Sequence, residues 1–397
     1  MREKGHRRGA KNISLSIDKT PNHETAIITS EDTGETLLHL EIEPSTHRLI
    51  VAVKDGAPVE VTNAATGEII VQRATAGDKD PEGLRTWSIS DDGLTFKCWL
   101  PNGNAIELPI EESPGEFTPT EFVPEVLGQP ELIFAIALGI KLKKHTLLTG
   151  PTGIAKTTAY RWMAKTLNYN LILMPVARGT ESAHMVGEYM PADDAGHFAW
   201  TDGPVTQAAR LSATHKTLLV FDEVNRIGNI AEFARVYSLL DDTRMLELKE
   251  KRTGDTIERI YAEELYVGAT SNPSDSEGGG DYIGVQDLDP ALNSRFGLQP
   301  PLAYPQPEIE AAALMKRVPG LQKREADAMV ATAKRIREAT NVRFPISFRE
   351  LVAWAETLPF FGWKQAAEIS VISKAAASYR PDLRQLIQLQ TNSRPAA

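Results

Sequence analysis

The chain has 397 residues, 42% of them hydrophobic and 24% charged, with a net charge of −10 and a pI near 5.4. That length and composition suit a soluble protein of two or three domains, and the acidic balance excludes a global electrostatic case for binding nucleic acid or an anionic membrane. Cys98 is the single cysteine, which excludes an intrachain disulfide, and no apolar stretch reaches the length of a membrane span, so a cytoplasmic location without a membrane partner is expected.

Residues 1–11 carry Arg2, Lys4, His6, Arg7, Arg8 and Lys11, a basic arm expected to be flexible and solvated. Residues 12–110 are expected to form an all-β N-terminal domain, a small sandwich or barrel. Ile13–Ile17, Thr36–Ile42, Arg48–Val53, Glu68–Arg73, Trp87–Ile89, Thr95–Leu100 and Ala105–Ile110 are short runs rich in Ile, Val, Leu and Thr, separated by turn signals such as Asp55-Gly56 and Asn102-Gly103. No catalytic constellation is visible in them. Residues 111–121 (EESPGEFTPTE), acidic and carrying prolines, predict a linker.

The texture then changes. Over 122–305, helical periodicity in Pro130–Lys141 precedes an apolar run at His145–Thr149. Further apolar runs at Leu171–Val176, Thr217–Phe221, Leu265–Ala269 and Leu298–Leu302 alternate with helical segments. That alternation predicts an α/β domain around a parallel sheet. Residues 306–397 predict an α-helical domain, with amphipathic segments at Glu308–Lys316, Lys323–Ala339, Phe348–Thr357 and Lys364–Ala377.

Two motifs carry chemistry. The first runs through Gly150, Pro151, Thr152, Gly153, Ile154, Ala155, Lys156, Thr157 and Thr158, between a strand and a helix. A glycine-rich loop there presents backbone N–H groups and a helix N-terminus to phosphates; Lys156 would reach the β- and γ-phosphates and the Thr157 hydroxyl would hold Mg²⁺. Ala155 stands where such loops usually have glycine, so its backbone must accommodate a Cβ. The second motif is Asp222-Glu223 at the carboxyl end of the apolar run Leu218–Phe221. Ligands bind at that edge of a parallel sheet, where Asp222 would hold Mg²⁺ and Glu223 would act as general base on the attacking water. Together the motifs predict an ATP-binding P-loop NTPase with ATP and Mg²⁺ as its ligands.

From about Glu121 to about Leu386 these residues resemble the AAA+ ATPases of the MoxR group, with its CbbQ/GvpN-like and CobS-like relatives. Phe122-Val-Pro-Glu-Val-Leu-Gly-Gln-Pro-Glu131 is similar to the segment that opens the family's ATPase module, and the resemblance places Leu127 and Gly128 near the adenine. The Gly-Ile-Ala-Lys loop is shared with some members. His184–Met190 and Phe198–Val205 resemble an insert, here a polar hairpin tipped by Asp193, Asp194 and Gly196 and flanked by Tyr189, Phe198 and Trp200, which either packs on its own domain or faces the pore of a ring. Leu265–Pro273 resembles the sensor-1 strand, with Asn272 as the γ-phosphate sensor. Gly278–Gly284 through Leu288–Phe296 is similar to the CobS pattern, with Arg295 as an arginine finger acting in trans. Phe344–Trp354 resembles the start of the sensor-2 helix, with Arg349 reaching the phosphates from a helical lid. No family is identified for residues 1–118.

The resemblance implies ATP hydrolysis in a homo-oligomeric ring, by family habit a hexamer. That ring would remodel or activate a protein client, typically paired with a protein bearing a von Willebrand factor A domain, often to activate an enzyme or insert a metal. A nucleic-acid-dependent motor is the alternative, supported modestly by the basic arm and by Lys249–Arg252. The acidic balance and the lack of an aromatic-basic stacking platform oppose it.

Overall fold

The β-branched runs near the N-terminus pair as an antiparallel meander in a computed structural model. It describes residues 13–20, 23–30, 36–43, 48–53, 60–62, 69–72, 85–100, 102–192, 196–253, 256–273, 285–342 and 344–392. The basic arm, the hairpin tip at Asp193 and Asp194, and Gly278–Gly284 lie outside these residues. The chain divides into two compact units, Met1–Asp80 with Asn102–Asn104, and Pro81–Pro101 with Ala105–Ala397.

In the first unit β1 (Ile13–Thr20), β2 (His23–Ser30), β3 (Thr36–Glu43) and β4 (Arg48–Val53) form a four-stranded sheet in sequence order. The pair Thr20↔His23 closes its first hairpin. β5 (Glu60–Thr62) and β6 (Ile69–Gln72) form a separate ribbon. β2 and β5 are additional to the strands expected from the sequence.

The second unit begins with β7 (Trp87–Ile89), β8 (Thr95–Trp99) and β9 (Ala105–Pro109), a three-stranded antiparallel sheet. Period-two alternation buries Phe96 and Cys98 from β8 and Ile106 and Leu108 from β9. They join one core with Leu132, Ile133 and Ile136 of α1 (Pro130–Leu142). This corrects the expected β domain over 12–110, because its last three strands belong to the second unit. Alternation marks which face of a sheet is buried but not what covers it. The predicted linker 111–121 is likewise packed rather than free. Phe117 N–H donates to Asn170 Oδ1 at 2.9 Å, its carbonyl accepts from Leu171 N–H at 3.2 Å, and Thr118 Oγ1 donates to the Tyr169 carbonyl at 2.9 Å.

The central elements follow as β10 (Thr146–Thr149), α2 (Lys156–Leu167), β11 (Asn170–Pro175), α3 (Ser182–Val186), β12 (Gly187–Pro191), β13 (Phe198–Asp202), α4 (Pro204–Leu211) and β14 (Thr217–Asp222). Then come α5 (Tyr237–Leu240), β15 (Met245–Thr253), β16 (Thr256–Tyr261), β17 (Leu265–Ser271) and α6 (Pro290–Asn293). The main sheet has the order β10-β17-β14-β11, all parallel. Its two middle strands are buried along nearly their whole length, as expected when both faces are covered. One face packs α1, α2 and the three-stranded sheet; the other packs α4, Phe233 and the β15–β16 ribbon. The predicted strand Leu298–Leu302 reduces to one parallel bridge, Leu298 to Thr146. Pro300 and Pro301 have no N–H to extend it.

The helical lid consists of α7 (Pro307–Arg317), α8 (Lys323–Glu338), α9 (Phe348–Ser370) and α10 (Arg380–Asn392), closed over a core that includes Trp354, Leu351, Met329 and Leu383. α9 spans two predicted helices and breaks at Gly362, whose φ of 69° follows Pro359. Among the described residues no helix is long and apolar enough to cross a membrane.

Candidate functional site

Parallel pairing brings the two motifs together. β10 and β14 both end at the same edge of the sheet with β17 between them, so Thr149, Asp222 and Ser271 arrive side by side. The loop from Gly150 then turns into α2. Ala155 sits at φ 71°, ψ 24°, a left-handed conformation that costs an alanine roughly 1–2 kcal/mol. Gly153, at φ 78°, packs against the lid, where a Cβ would lie 2.2 Å from Ser347 Cβ. The first turn of α2 contains no acid and no side chain caps it, leaving its N-terminal N–H groups to attract an anion.

Lys156 is buried and folds back onto its own loop. Its Nζ donates to the carbonyls of Gly150 at 2.6 Å and Pro151 at 2.8 Å and to Asn272 Oδ1 at 3.1 Å. Burial pushes its pKa down to about 8, with Asp222 and Glu223 opposing the shift and Arg349 adding to it. Asp222 Oδ1 accepts from Thr157 Oγ1 and from Thr270 Oγ1, each at 2.6 Å. The Thr270 hydroxyl also accepts the Glu223 N–H at 3.0 Å, bracing Glu223 in a left-handed backbone at φ 58°. The Glu223 carboxylate forms an ion pair with Arg226 at 2.6 Å. Asn225 Nδ2 donates to the Asn272 carbonyl at 2.8 Å.

Between this loop and the lid lies a cavity of about 520 Å³, lined among others by Phe122, Leu127, Ile154, Thr158, Tyr304 and Arg349. Gly128, beside it, takes a φ of 67°, and a Cβ there would fall 2.3 Å from Ile309 Cγ2. The Tyr304 hydroxyl donates to the Thr152 carbonyl at 3.2 Å, joining the loop to the segment that leads into the lid. Arg349 follows the N-cap Ser347 of α9 and forms no ion pair with an acid among the described residues. The structure thus links Lys156 to Asn272, Thr157 to Asp222, and Asp222 and Glu223 to Thr270 at one sheet edge, while Leu127, Gly153, Ile154, Ala155, Thr158 and Arg349 line the cavity. Arg295 is not among them. It pairs with Asp241 at 2.9 Å, donates to the Ala291 carbonyl and stacks 4.1 Å over the Tyr237 ring.

Sequence reasoning gave no role to Thr270, to Tyr304 or to Arg226, which it quoted within the motif Asp222–Arg226. A threonine directly after the apolar run Leu265–Ala269 was a signal for the first. The hairpin β12–β13 forms as expected, with Tyr189 edge-on to Trp200 and Phe198 63% exposed. Within Lys249–Arg252, the described segment weighed for nucleic acid, Lys251 pairs with Glu258, and Glu250 in the same run pairs with Arg235. Such pairing leaves less free positive charge for a phosphate backbone.

Comparison with known proteins identifies similar chains. Residues 145–296 match the family described as AAA domain (dynein-related subfamily). Protein NorQ of Paracoccus denitrificans (strain Pd 1222) is 30% identical over 215 residues, covering 53% of this chain and 72% of NorQ. Protein CbbQ of Hydrogenophilus thermoluteolus is 28% identical over 192 residues, 48% of this chain and 62% of CbbQ. Chaperone MoxR1 of Mycobacterium tuberculosis is 27% identical over 215 residues, 53% of this chain and 50% of MoxR1. The chain therefore spans less than two thirds of the last two relatives.

Proposed function

The chain belongs to the MoxR group of AAA+ ATPases, and from that membership we propose that it hydrolyses ATP in a homo-oligomeric ring, a hexamer by family habit, and works on a partner protein. The observation that carries this reading is the convergence of Lys156, Thr157, Asp222, Glu223 and Asn272 at one sheet edge, with Arg295 paired instead to Asp241.

In this reading Lys156 exchanges its loop carbonyls for the β- and γ-phosphates, held with the open N–H groups of α2. The oxygens of Thr157 and Asp222, 2.6 Å apart, suit a hard cation. The described residues hold no cluster of three or more His, Cys, Asp or Glu, which fits an ion that keeps waters and phosphate oxygens rather than an all-protein cage. Mg²⁺ bound there would supply charge neutralisation on the phosphates. Glu223 would leave Arg226 to take the proton of the attacking water, oriented with the help of Asn272. Arg349 would report phosphate occupancy to the lid. Arg295 would enter the neighbouring subunit's site, where such a finger is worth ~10³–10⁵ in rate.

Specific ATPase activity then rises with protein concentration as rings assemble; a flat value across a dilution series would contradict a shared site. MoxR1 is a chaperone by name, and that supports a chaperone-like role here. The chain would act on a protein client together with a partner bearing a von Willebrand factor A domain, with metal insertion into an enzyme as one outcome. Glu223→Gln with ATP should trap that client in a pull-down, and repeated recovery of nothing would sink this part.

A further inference from the structure

One wall of the cavity is the segment 122–127, which contributes Phe122, Pro124, Glu125, Val126 and Leu127. It belongs to no helix or strand, so its position depends on side-chain anchors. Val123 and Val126 are buried in the core below it. A further anchor comes from the residues that lead into β7. Arg85, just before β7, grips Glu125 in a fork, with Nε to Oε1 at 2.8 Å and Nη2 to Oε2 at 3.3 Å. The guanidinium lies 4.7 Å over the Trp87 ring, and Trp87 in turn packs 4.7 Å from Trp162 of α2. A continuous chain of contacts therefore runs from the helix that follows the phosphate loop, through the three-stranded sheet, to the cavity wall.

The fork does more than anchor. Glu125 would bring a carboxylate to a cavity meant for an anionic ligand, and Arg85 neutralises it. A planar guanidinium stacked on an indole is pre-organised for this, whereas a lysine would not hold the same geometry.

We propose that Arg85 is a positioning residue for the nucleoside end of the site: through Glu125 it presets the 122–127 wall, so that β7–β9 tunes affinity for the base and ribose but not for the phosphates. The proposal rests on the reading of the cavity as a nucleotide site. Its consequence is separable from that reading, because the phosphate loop makes no use of Arg85.

The test is equilibrium binding of ADP and of inorganic tripolyphosphate to the full chain, to Arg85→Glu, to Glu125→Arg and to the double swap. A half-exposed fork pair reversed in charge is expected to weaken ADP by about tenfold. Tripolyphosphate binding stays within about twofold of the unaltered chain, and the double swap recovers ADP affinity to within about threefold. Unchanged ADP binding in either single variant overturns the proposal. So does an equal loss for both ligands, which would mean general damage to the fold, and so does a double swap no better than the single variants. Failure of the unaltered chain to bind either ligand overturns the nucleotide reading itself, and this proposal with it.

Discussion

Replacing Arg337 by alanine strands a carboxylate inside the lid. Glu310 on α7 is 2% exposed and Arg337 on α8 12%, and their two N–O distances are both 2.8 Å. Arg337 Nε also donates to the Ile346 carbonyl at 2.8 Å, just before α9, and its guanidinium lies 3.5 Å from the Tyr304 ring. One group thus ties three helices of the lid to the tyrosine that bonds the phosphate loop. Removing one partner of a buried pair leaves the other desolvated and uncompensated, at a cost of about 3–5 kcal/mol. Removing both charges avoids that penalty, so Glu310→Leu with Arg337→Met should be within about 2 kcal/mol of the starting protein. Urea unfolding followed by circular dichroism reads the difference. With a slope of about 3 kcal/mol/M, Arg337→Ala lowers the midpoint by about 1–1.7 M. A single-variant shift below about 0.3 M, or a double variant as unstable as the single, would refute the argument.

Thr270→Val keeps shape but deletes the donor to Asp222 and the acceptor for Glu223 N–H. The turnover number should fall about tenfold or more while ATP affinity holds, since the loss is one of positioning; unchanged turnover would dissociate those bonds from catalysis. His145 is buried, its Nδ1 accepts from Val267 N–H at 3.3 Å, and desolvation, aided by Arg244 and Lys144, pushes it down to about 4. Above pH 6.5 neither state binds its proton and stability is complete. As pH falls from 6.5 towards 4 the unfolded imidazole takes up a proton that the folded one refuses, and about 3 kcal/mol is lost. A His145→Asn chain should show a correspondingly shallower acid limb, and an identical limb would count against the assignment. Burial pushes the Cys98 thiol up to about 12, so it should react with a thiol reagent on unfolding but hardly in the native chain.

What the sequence made legible was contiguous in the chain. The loop at 150–158 and the acids at 222 and 223 each sit within a few residues of a strand end, so period and spacing suffice to place them. The rest depended on pairings across distance. Thr270 acts on Asp222 and Glu223 because β17 lies beside β14, a register that no local pattern specifies. Glu310 and Arg337 are 27 residues apart and meet through the packing of two helices. The alternation in 95–109 marked a buried face, but its cover proved to be α1 and α2 rather than another sheet. The acidic composition of 111–121 suggested a linker, yet Asn170 supplies the acceptor that holds Phe117. Arg295 was legible as a residue type in a motif, but its pairing with Asp241, 54 residues away in the chain, was not.

The most direct test of the account is ATP turnover by Glu223→Gln beside the unaltered chain, with ATP affinity measured on both. The geometry predicts that binding survives, because Lys156, Thr157 and the 150–158 loop are untouched, while hydrolysis falls to near background. Equal hydrolysis by the two proteins would contradict the assignment of Glu223 as the general base of this site.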